Sequence, residues 1–239
     1  MTTPLTTAMI FAAGLGTRMR PITNTIPKPL VKVSGKTLLD HVLDECAQSG
    51  ITRAVVNVHY LPDQIEAHLR TRNSPQIIIS DERALLLDQG GGIKKAATHL
   101  DDAFFVSNTD AFWIEGPQSN IARLRAFWDP QKMDALLLVA STSTSIGVDW
   151  SGDFHMDTDG RLTKRQENEV AAFVYSGFGI LKREPFAQDE REVFRLAPYL
   201  FEAAEKGRLF GLRLDGLWLH VGTPQAIEEA ERALERSAI

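Results

Sequence analysis

Hydrophobic positions along this chain follow two periods that alternate from one segment to the next. TAMIFA (Thr7–Ala12) is a short, nearly unbroken apolar run, the pattern of a strand buried on both faces. From Thr37 to Gln48 the apolar residues Leu38, Leu39, Val42, Leu43 and Cys46 recur on one helical face, and Gly50 marks a stop. RAVVNV (Arg53–Val58), QIII (Gln76–Ile79), AFFVSN (Ala103–Asn108) and DALLLVA (Asp134–Ala140) predict further strands. Between them LPDQIEAHLR (Leu61–Arg70), GGIKKAATHL (Gly91–Leu100) and NIARLRAFW (Asn120–Trp128) predict helices, the second beginning after its glycines. Strands separated by helices of this length indicate βαβ units around a parallel sheet.

Beyond about residue 145 the texture changes. FHMDTDGRLTK (Phe154–Lys164) alternates around Asp159–Gly160, a hairpin signal. AAFVYSGFGIL (Ala171–Leu181) and LFGLRLDGLWLHV (Leu209–Val221) are longer strand-like runs flanking the helical FRLAPYLFEAAEKG (Phe194–Gly207). PQAIEEAERALER starts with Pro224 at a helix N-terminus and keeps Ile227, Ala230 and Leu234 in register. The expected fold is α/β: a Rossmann-like three-layer sandwich with a mainly parallel central sheet and extra mixed strands in the second half. No repeat, low-complexity tract or linker divides the 239 residues, so a single domain is expected.

Composition narrows the possible partners. A hydrophobic share of 44% and a charged share of 24% are those of an ordinary globular chain. The net charge of −5 argues against a general nucleic-acid binder, which shows a basic stripe. The one cysteine, Cys46, lies in a helical apolar stripe and reads as a core thiol. No apolar stretch approaches the roughly 18 residues of a membrane span. Met1–Thr7 has neither a basic n-region nor a separate apolar h-region, so no signal peptide is expected and the protein reads as cytoplasmic.

The segment after the first strand, AAGLGTRMRPITNTIPKPL (Ala12–Leu30), carries the chemistry. Ligands of open α/β sheets settle at the carboxyl ends of strands. Gly14 and Gly16 stand there without Cβ atoms, so backbone amides can approach an anion closely. Arg18, Arg20 and Lys28 add fixed positive charge, and the expected ligand is a polyphosphate. Met19 occupies the place of the third glycine of G-x-G-x-x-G, and no G-K-[ST] follows. The loop therefore belongs to neither a typical dinucleotide fold nor a P-loop NTPase. A bare G-x-G also reads as a tight turn with a solvated basic tail.

Further segments add to the picture. In QGGGI (Gln89–Ile93) consecutive glycines would admit a flat ring, and Gln89 carries the donor and acceptor to match a uracil or guanine edge. A plain helix entry is the alternative. SNTDAFW places Asn108, Thr109 and Asp110 at a strand end, where a carboxylate suits a hard cation. Phe112, Trp113, Phe127 and Trp128 read as core or rim packing.

AAGLGTRM followed by PKPL resembles the N-terminal motif of the sugar-1-phosphate nucleotidyltransferases, G-x-G-[TS]-R-[ML] with a downstream P-K-P, and later motifs match in order. The resemblance implies the nucleotide-diphospho-sugar transferase fold and transfer of a nucleotidyl group from an NTP to a sugar 1-phosphate, releasing pyrophosphate. It assigns Ala13, Gly14, Gly16, Thr17, Arg18, Lys28, Gln89, Gly91 and Asn108 to the nucleotide. Asn108, Glu167 and Gly177 fall to the sugar, with Lys164 as a sugar-phosphate contact. Arg18, Lys28 and Asp110 are the implied catalytic residues, and Asp110 the ligand of a catalytic Mg²⁺. Thr109 departs from the family's usual glycine. In WLHVGTP, His220 replaces the aspartate of W-x-D-[IV]-G-T-P that supplies the second metal ligand. Imidazole suits Mn²⁺, Co²⁺ or Zn²⁺ better than Mg²⁺ and must be neutral to ligate; contact with phosphate is its other reading. Residues to about 140 would bind nucleotide and the remainder sugar.

Within the family the motif order is most similar to the uridylyltransferases that use UTP and N-acetylmuramate 1-phosphate in peptidoglycan (cell-wall) recycling. Mannose-1-phosphate guanylyltransferase and glucose-1-phosphate specificity are alternatives. A catalytically silent nucleotide-sugar-binding regulatory protein is a further one, supported only by the histidine at 220. The implied partners are the NTP and sugar 1-phosphate, with neither nucleic acid nor membrane.

Overall fold

Burial on both faces organises the centre of the molecule. The computed structural model describes residues 5–237, so Met1 to Pro4 of the N-terminal segment lie outside the described residues. Strand β1 (Thr7–Phe11) is followed by a short ribbon, β2 (Lys32–Val33) and β3 (Lys36–Thr37). Helix α1 (Leu38–Gln48) starts where the Thr37 hydroxyl accepts the Asp40 amide at 3.0 Å, an N-cap that satisfies one of the helix's free amides. β4 (Arg53–Val58), α2 (Pro62–Leu69), β5 (Gln76–Asp81), α3 (Asp88–Ala96) and β6 (Ala103–Asn108) complete the parallel part. Then come β7 (Ala111–Glu115), α4 (Asn120–Phe127) and β8 (Ala135–Ser141), and the β9 (Phe154–Met156) and β10 (Leu162–Lys164) hairpin. The chain closes with β11 (Phe173–Lys182), α5 (Glu184–Ala187), α6 (Ala197–Glu205), β12 (Leu209–Arg213), β13 (Gly216–His220) and α7 (Pro224–Ser237).

The main sheet runs β5-β4-β1-β6-β11-β8-β12, with β11 antiparallel to both neighbours and all other pairs of this path parallel. The β9–β10 hairpin attaches to the start of β11. Alternate residues separate the two cores. Ala8, Ile10, Ala54 and Val56 meet Leu39, Leu43, Ile65 and Leu124 of the helices on one face. Met9, Val55, Phe104 and Val106 meet Ile93, Phe186 and Leu200 on the other. The result is the three-layer sandwich expected. A third cluster matters for the site: Met19, Val31, Phe112, Leu219, Val221 and Ala230 pin the loop after β1 to β7, β13 and α7.

Cys46 is fully buried, and burial pushes its thiol up to about 12, in keeping with a core role. No helix of the described residues is long and apolar enough to cross a membrane.

Three expectations need correction. LFGLRLDGLWLHV is two strands in different sheets: β12 extends the main sheet beside β8, whereas β13 pairs antiparallel with β7. Gly216, at φ +116°, turns the chain between them, a conformation open to glycine and unfavourable for L side chains. The segment Ala111–Glu115, read only as packing aromatics, is the partner strand. The glycines of QGGGI lie inside α3 and do not precede it.

Candidate active site

The site begins where β1 ends. The Ala12 amide donates to Asn57 Oδ1 at 2.8 Å, which turns the chain out of the sheet at its carboxyl edge. Gly16 is in the left-handed region at φ +63°, and its carbonyl accepts the Met19 amide at 2.9 Å and the Thr23 hydroxyl at 2.8 Å. A Cβ there would lie 3.0 Å from side-chain carbons of Lys28 and Thr23, so the glycine lets the two basic turns close on each other. Gly14 has nothing within 4 Å of where its Cβ would stand. Its bare face is turned to a cavity of about 340 Å³ lined by Ala13, Gly14, Gly16, Lys28, Asn57, Gln89, Asn108 and Asp110, among others.

Asp110 is the centre of the charge arrangement. Its Oδ2 accepts a hydrogen bond from Lys28 Nζ at 3.0 Å, with His220 Nε2 at 3.7 Å and Arg18 Nη2 at 4.0 Å. The β7–β13 register sets His220 opposite Ala111, and the Val221 amide donates to the Asp110 carbonyl at 2.8 Å. His220 Nδ1 lies 3.1 Å from the Gly147 carbonyl oxygen. A carbonyl only accepts, so Nδ1 carries a proton; Nε2, on the Asp110 side, is a second donor to the carboxylate when protonated and a free lone pair when not. Trp218 stacks on the imidazole at 5.7 Å and Trp150 meets it edge-on at 5.4 Å. Burial pushes the Asp110 carboxyl up, but His220 and the Lys28 ammonium outweigh it and hold the group below the usual carboxylate range.

The two cations differ in freedom. Lys28 is 12% exposed and Arg18 64%, so Lys28 is held against Asp110 and Arg18 reaches into open space. Beyond the cluster is a second cavity of about 330 Å³, lined by Arg18, Gly147, Asp149, His220, Thr223 and Gln225 among others. A Cβ at Gly222 would fall 2.6 Å from His220 Cε1 and 3.3 Å from Arg18 Nη1, so that position must stay bare for both groups to converge.

On the far wall of the first cavity Gln89 Nε2 donates to Asn108 Oδ1 at 2.9 Å. The first two of the three glycines that follow, Gly90 and Gly91, face another segment of the protein. The 192–194 segment crosses the start of α3, and the Gly90 and Gly91 amides donate to the Phe194 carbonyl at 2.9 and 3.2 Å. A Cβ would fall 2.3 Å from the Phe194 ring at Gly90 and 2.2 Å from the Glu192 carbonyl oxygen at Gly91. Gly91 is thus enclosed by protein and does not line the first cavity. Gly91→Ala is expected to lower stability by about 1–3 kcal/mol through overpacking, read as a lower urea midpoint with an unchanged slope.

The proposed sugar contacts scatter. Gly177, at φ +85°, lies in the irregularity of β11; its Cβ would stand 2.9 Å from the Asn108 side chain, so it admits Asn108. Glu167 is exposed after β10, where its carbonyl accepts Arg165 Nη1 at 3.0 Å. Lys164 Nζ sits 4.1 Å from the centre of the Phe201 ring. Neither residue lines the two cavities. Thr17 is exposed at the start of the turn that carries Arg18. Sequence reading missed Asn57, Glu82 and Gly147; an asparagine inside an apolar strand was the one available hint.

Together these features place the chain in a class. It belongs to the Nucleotidyl transferase family, whose model matches residues 7–127, and it is an enzyme of the sugar-1-phosphate nucleotidyltransferase type with the nucleotide-diphospho-sugar transferase fold. Over 232 residues it is 46% identical to the N-acetylmuramate alpha-1-phosphate uridylyltransferase of Caulobacter vibrioides, covering 95% of this chain and 96% of that one. The protein of the same name from Neisseria meningitidis serogroup B is 35% identical over 228 residues, covering 94% and 96%. A UDP-glucose pyrophosphorylase complexed with UDP-glucose shares the fold at a TM-score of 0.76 and 16% identity, over 98% of this chain and 100% of that one.

Proposed function

We propose that this enzyme joins UTP to N-acetylmuramate 1-phosphate, forming the UDP-sugar and pyrophosphate, in the cytoplasm and in the service of cell-wall recycling. The choice of substrates rests on the two relatives of nearly equal length. The observation that carries the chemistry is the meeting of Lys28, Arg18, His220 and Asp110 between two cavities. The attacking phosphate oxygen of the sugar 1-phosphate is already an anion, so no general base is required. A bond forms from that oxygen to the α-phosphorus of the nucleotide, and the bond from the α-phosphorus to the bridging oxygen breaks as pyrophosphate leaves.

Catalysis is then in-line positioning and neutralisation of charge. Gly14 and its neighbours present backbone to the phosphates, Lys28 and Arg18 offset their charge, and Gln89 meets the base edge. Residues to about 140 form the nucleotide side and Asn108 with Gly177 the boundary to the sugar side.

Asp110 and His220 Nε2 suit a divalent cation, since the carboxylate faces an imidazole nitrogen whose lone pair is free to ligate once the ring is neutral. Among the described residues no group of three or more His, Cys, Asp or Glu is placed to hold a metal alone. The cation would complete its shell with substrate phosphate and water, as Mg²⁺ commonly does, and imidazole also accommodates Mn²⁺ or Co²⁺. When bound, it neutralises phosphate charge and orients the reacting group.

A matrix of four NTPs against several sugar 1-phosphates, with Mg²⁺ and Mn²⁺, tests the proposal by pyrophosphate release. UTP with N-acetylmuramate 1-phosphate is expected to turn over fastest. A different pair turning over faster would overturn the substrate assignment.

A further inference from the structure

The two walls of the first cavity are joined from behind. One wall is the loop of Ala13 and Gly14; the other is the entry to α3, with Asp88 and Gln89. Asn57 and Glu82 lie between them, 3% and 1% exposed. The Ala12 amide donates to Asn57 Oδ1 and Asn57 Nδ2 donates to Glu82 Oε1, both at 2.8 Å; the Leu87 amide donates to Glu82 Oε2 at 3.2 Å. Each of these atoms has one role it can play. Glu82 offers two acceptors to two N–H donors, and Asn57 offers one acceptor and one donor in the matching order. The backbone of Glu82 is itself fixed, its amide donating to the Val58 carbonyl at 2.8 Å and its carbonyl lying 2.7 Å from His59 Nδ1. Gly92 leaves room for the pair, since a Cβ there would stand 3.0 Å from Glu82 Oε1 and 3.2 Å from Asn57 Nδ2.

A buried carboxylate is costly where packing alone is needed, because an apolar side chain fills space without desolvating charge. We infer that Glu82 is a positioning residue for the nucleotide: through Asn57 it holds the phosphate wall, and through the Leu87 amide the base wall, at one separation. A nucleoside triphosphate spans both walls, so it meets a preformed cavity and loses little in ordering it. The sugar 1-phosphate does not depend on that spacing. This inference rests on the proposed use of the cavity for a nucleotide.

An exchange of functional groups tests it. Glu82→Gln sets an amide N–H against one of the two donors. Asn57→Asp sets two carboxylates face to face. The double variant restores every bond: the carboxylate introduced at position 57 accepts the Ala12 amide and the N–H of the glutamine introduced at position 82, and the oxygen of that glutamine accepts the Leu87 amide. Loss of one hydrogen bond to a charged group predicts about a tenfold rise in KM for UTP in Glu82→Gln, with KM for the sugar 1-phosphate within about twofold. Asn57→Asp should be worse, and the double variant should recover to within about threefold of the parent enzyme.

Calorimetric affinity for UTP with Mg²⁺ gives the same comparison without turnover, and urea midpoints separate stability from binding. Unchanged UTP affinity in a folded Glu82→Gln protein overturns the inference, as does a double variant that binds UTP no better than Glu82→Gln alone. Failure of the parent enzyme to release pyrophosphate from UTP would instead strike the functional proposal, leaving the affinity comparison to decide the role of Glu82.

Discussion

Asp110→Ala is expected to slow pyrophosphate release at least roughly 100-fold relative to the parent enzyme, with either Mg²⁺ or Mn²⁺ present. The size follows from its position. Three basic groups converge on one of its oxygens, at 3.0 Å for Lys28, 3.7 Å for His220 and 4.0 Å for Arg18. Removing the carboxylate leaves them facing one another, and a divalent cation drawn to the site loses its anionic ligand. Asp110→Asn keeps the shape and removes the charge, so a comparable loss there isolates the charge as the cause. Near-normal turnover of Asp110→Ala would remove the metal assignment.

The same substitution bears on acid stability, and its sign follows from the lowered carboxyl. A group whose folded value lies below its unfolded value stabilises the fold above the unfolded value, near 4 for an aspartate, and loses that contribution as pH falls toward the folded one. Urea midpoints measured downward from pH 6 should therefore fall less steeply for Asp110→Asn than for the parent enzyme.

Much of the sheet was legible in the sequence. Arg53–Val58 and Ala103–Asn108 match their predicted bounds because both are buried on two faces along nearly their whole length. What escaped was set by contacts distant along the chain. Glycine disfavours helix, so QGGG read as preceding the helix; the crossing of Glu192 and Phe194 over the helix start makes Gly90 and Gly91 bare, and the buried Glu82–Asn57 pair crowds Gly92. The β12–β13 break lies in an alternating run that would suit one long strand, and the turn becomes visible only with Asn120, which accepts the Asp215 amide at 2.8 Å and donates to its carbonyl at 2.7 Å.

The site divides the same way. Gly14, Arg18, Lys28, Asp110 and His220 stand in motifs, so residue type and order identified them as candidates, and the structure brings them to the boundary of two cavities. Glu82 lies between Asp81 and Arg83 and reads as part of a charged turn; its burial is the work of β4 and α3, neither of which its neighbours in sequence announce.

Lys28→Ala should also lose at least roughly 100-fold in rate, although a second cation stands nearby. Arg18 is mostly exposed and touches Asp110 only at 4.0 Å, whereas Lys28 is enclosed and hydrogen-bonded to it. Pro27 and Pro29 flank Lys28, Pro29 is buried, and the turn starting at Lys28 packs beside Gly16, so the ammonium is held in place before substrate arrives. A fixed charge acts on the transition state without the reorganisation a mobile one needs, so Arg18 cannot substitute for it. Arginine at 28 carries the charge in a broader, planar group and should restore only part of the rate. Because Lys28 and Asp110 are in contact, their losses should not add: the double alanine variant is expected to be closer to the worse single variant than to the product of the two. Purely multiplicative losses in that cycle would mean that the two residues act independently, and the shared cluster would then fail as the unit of catalysis.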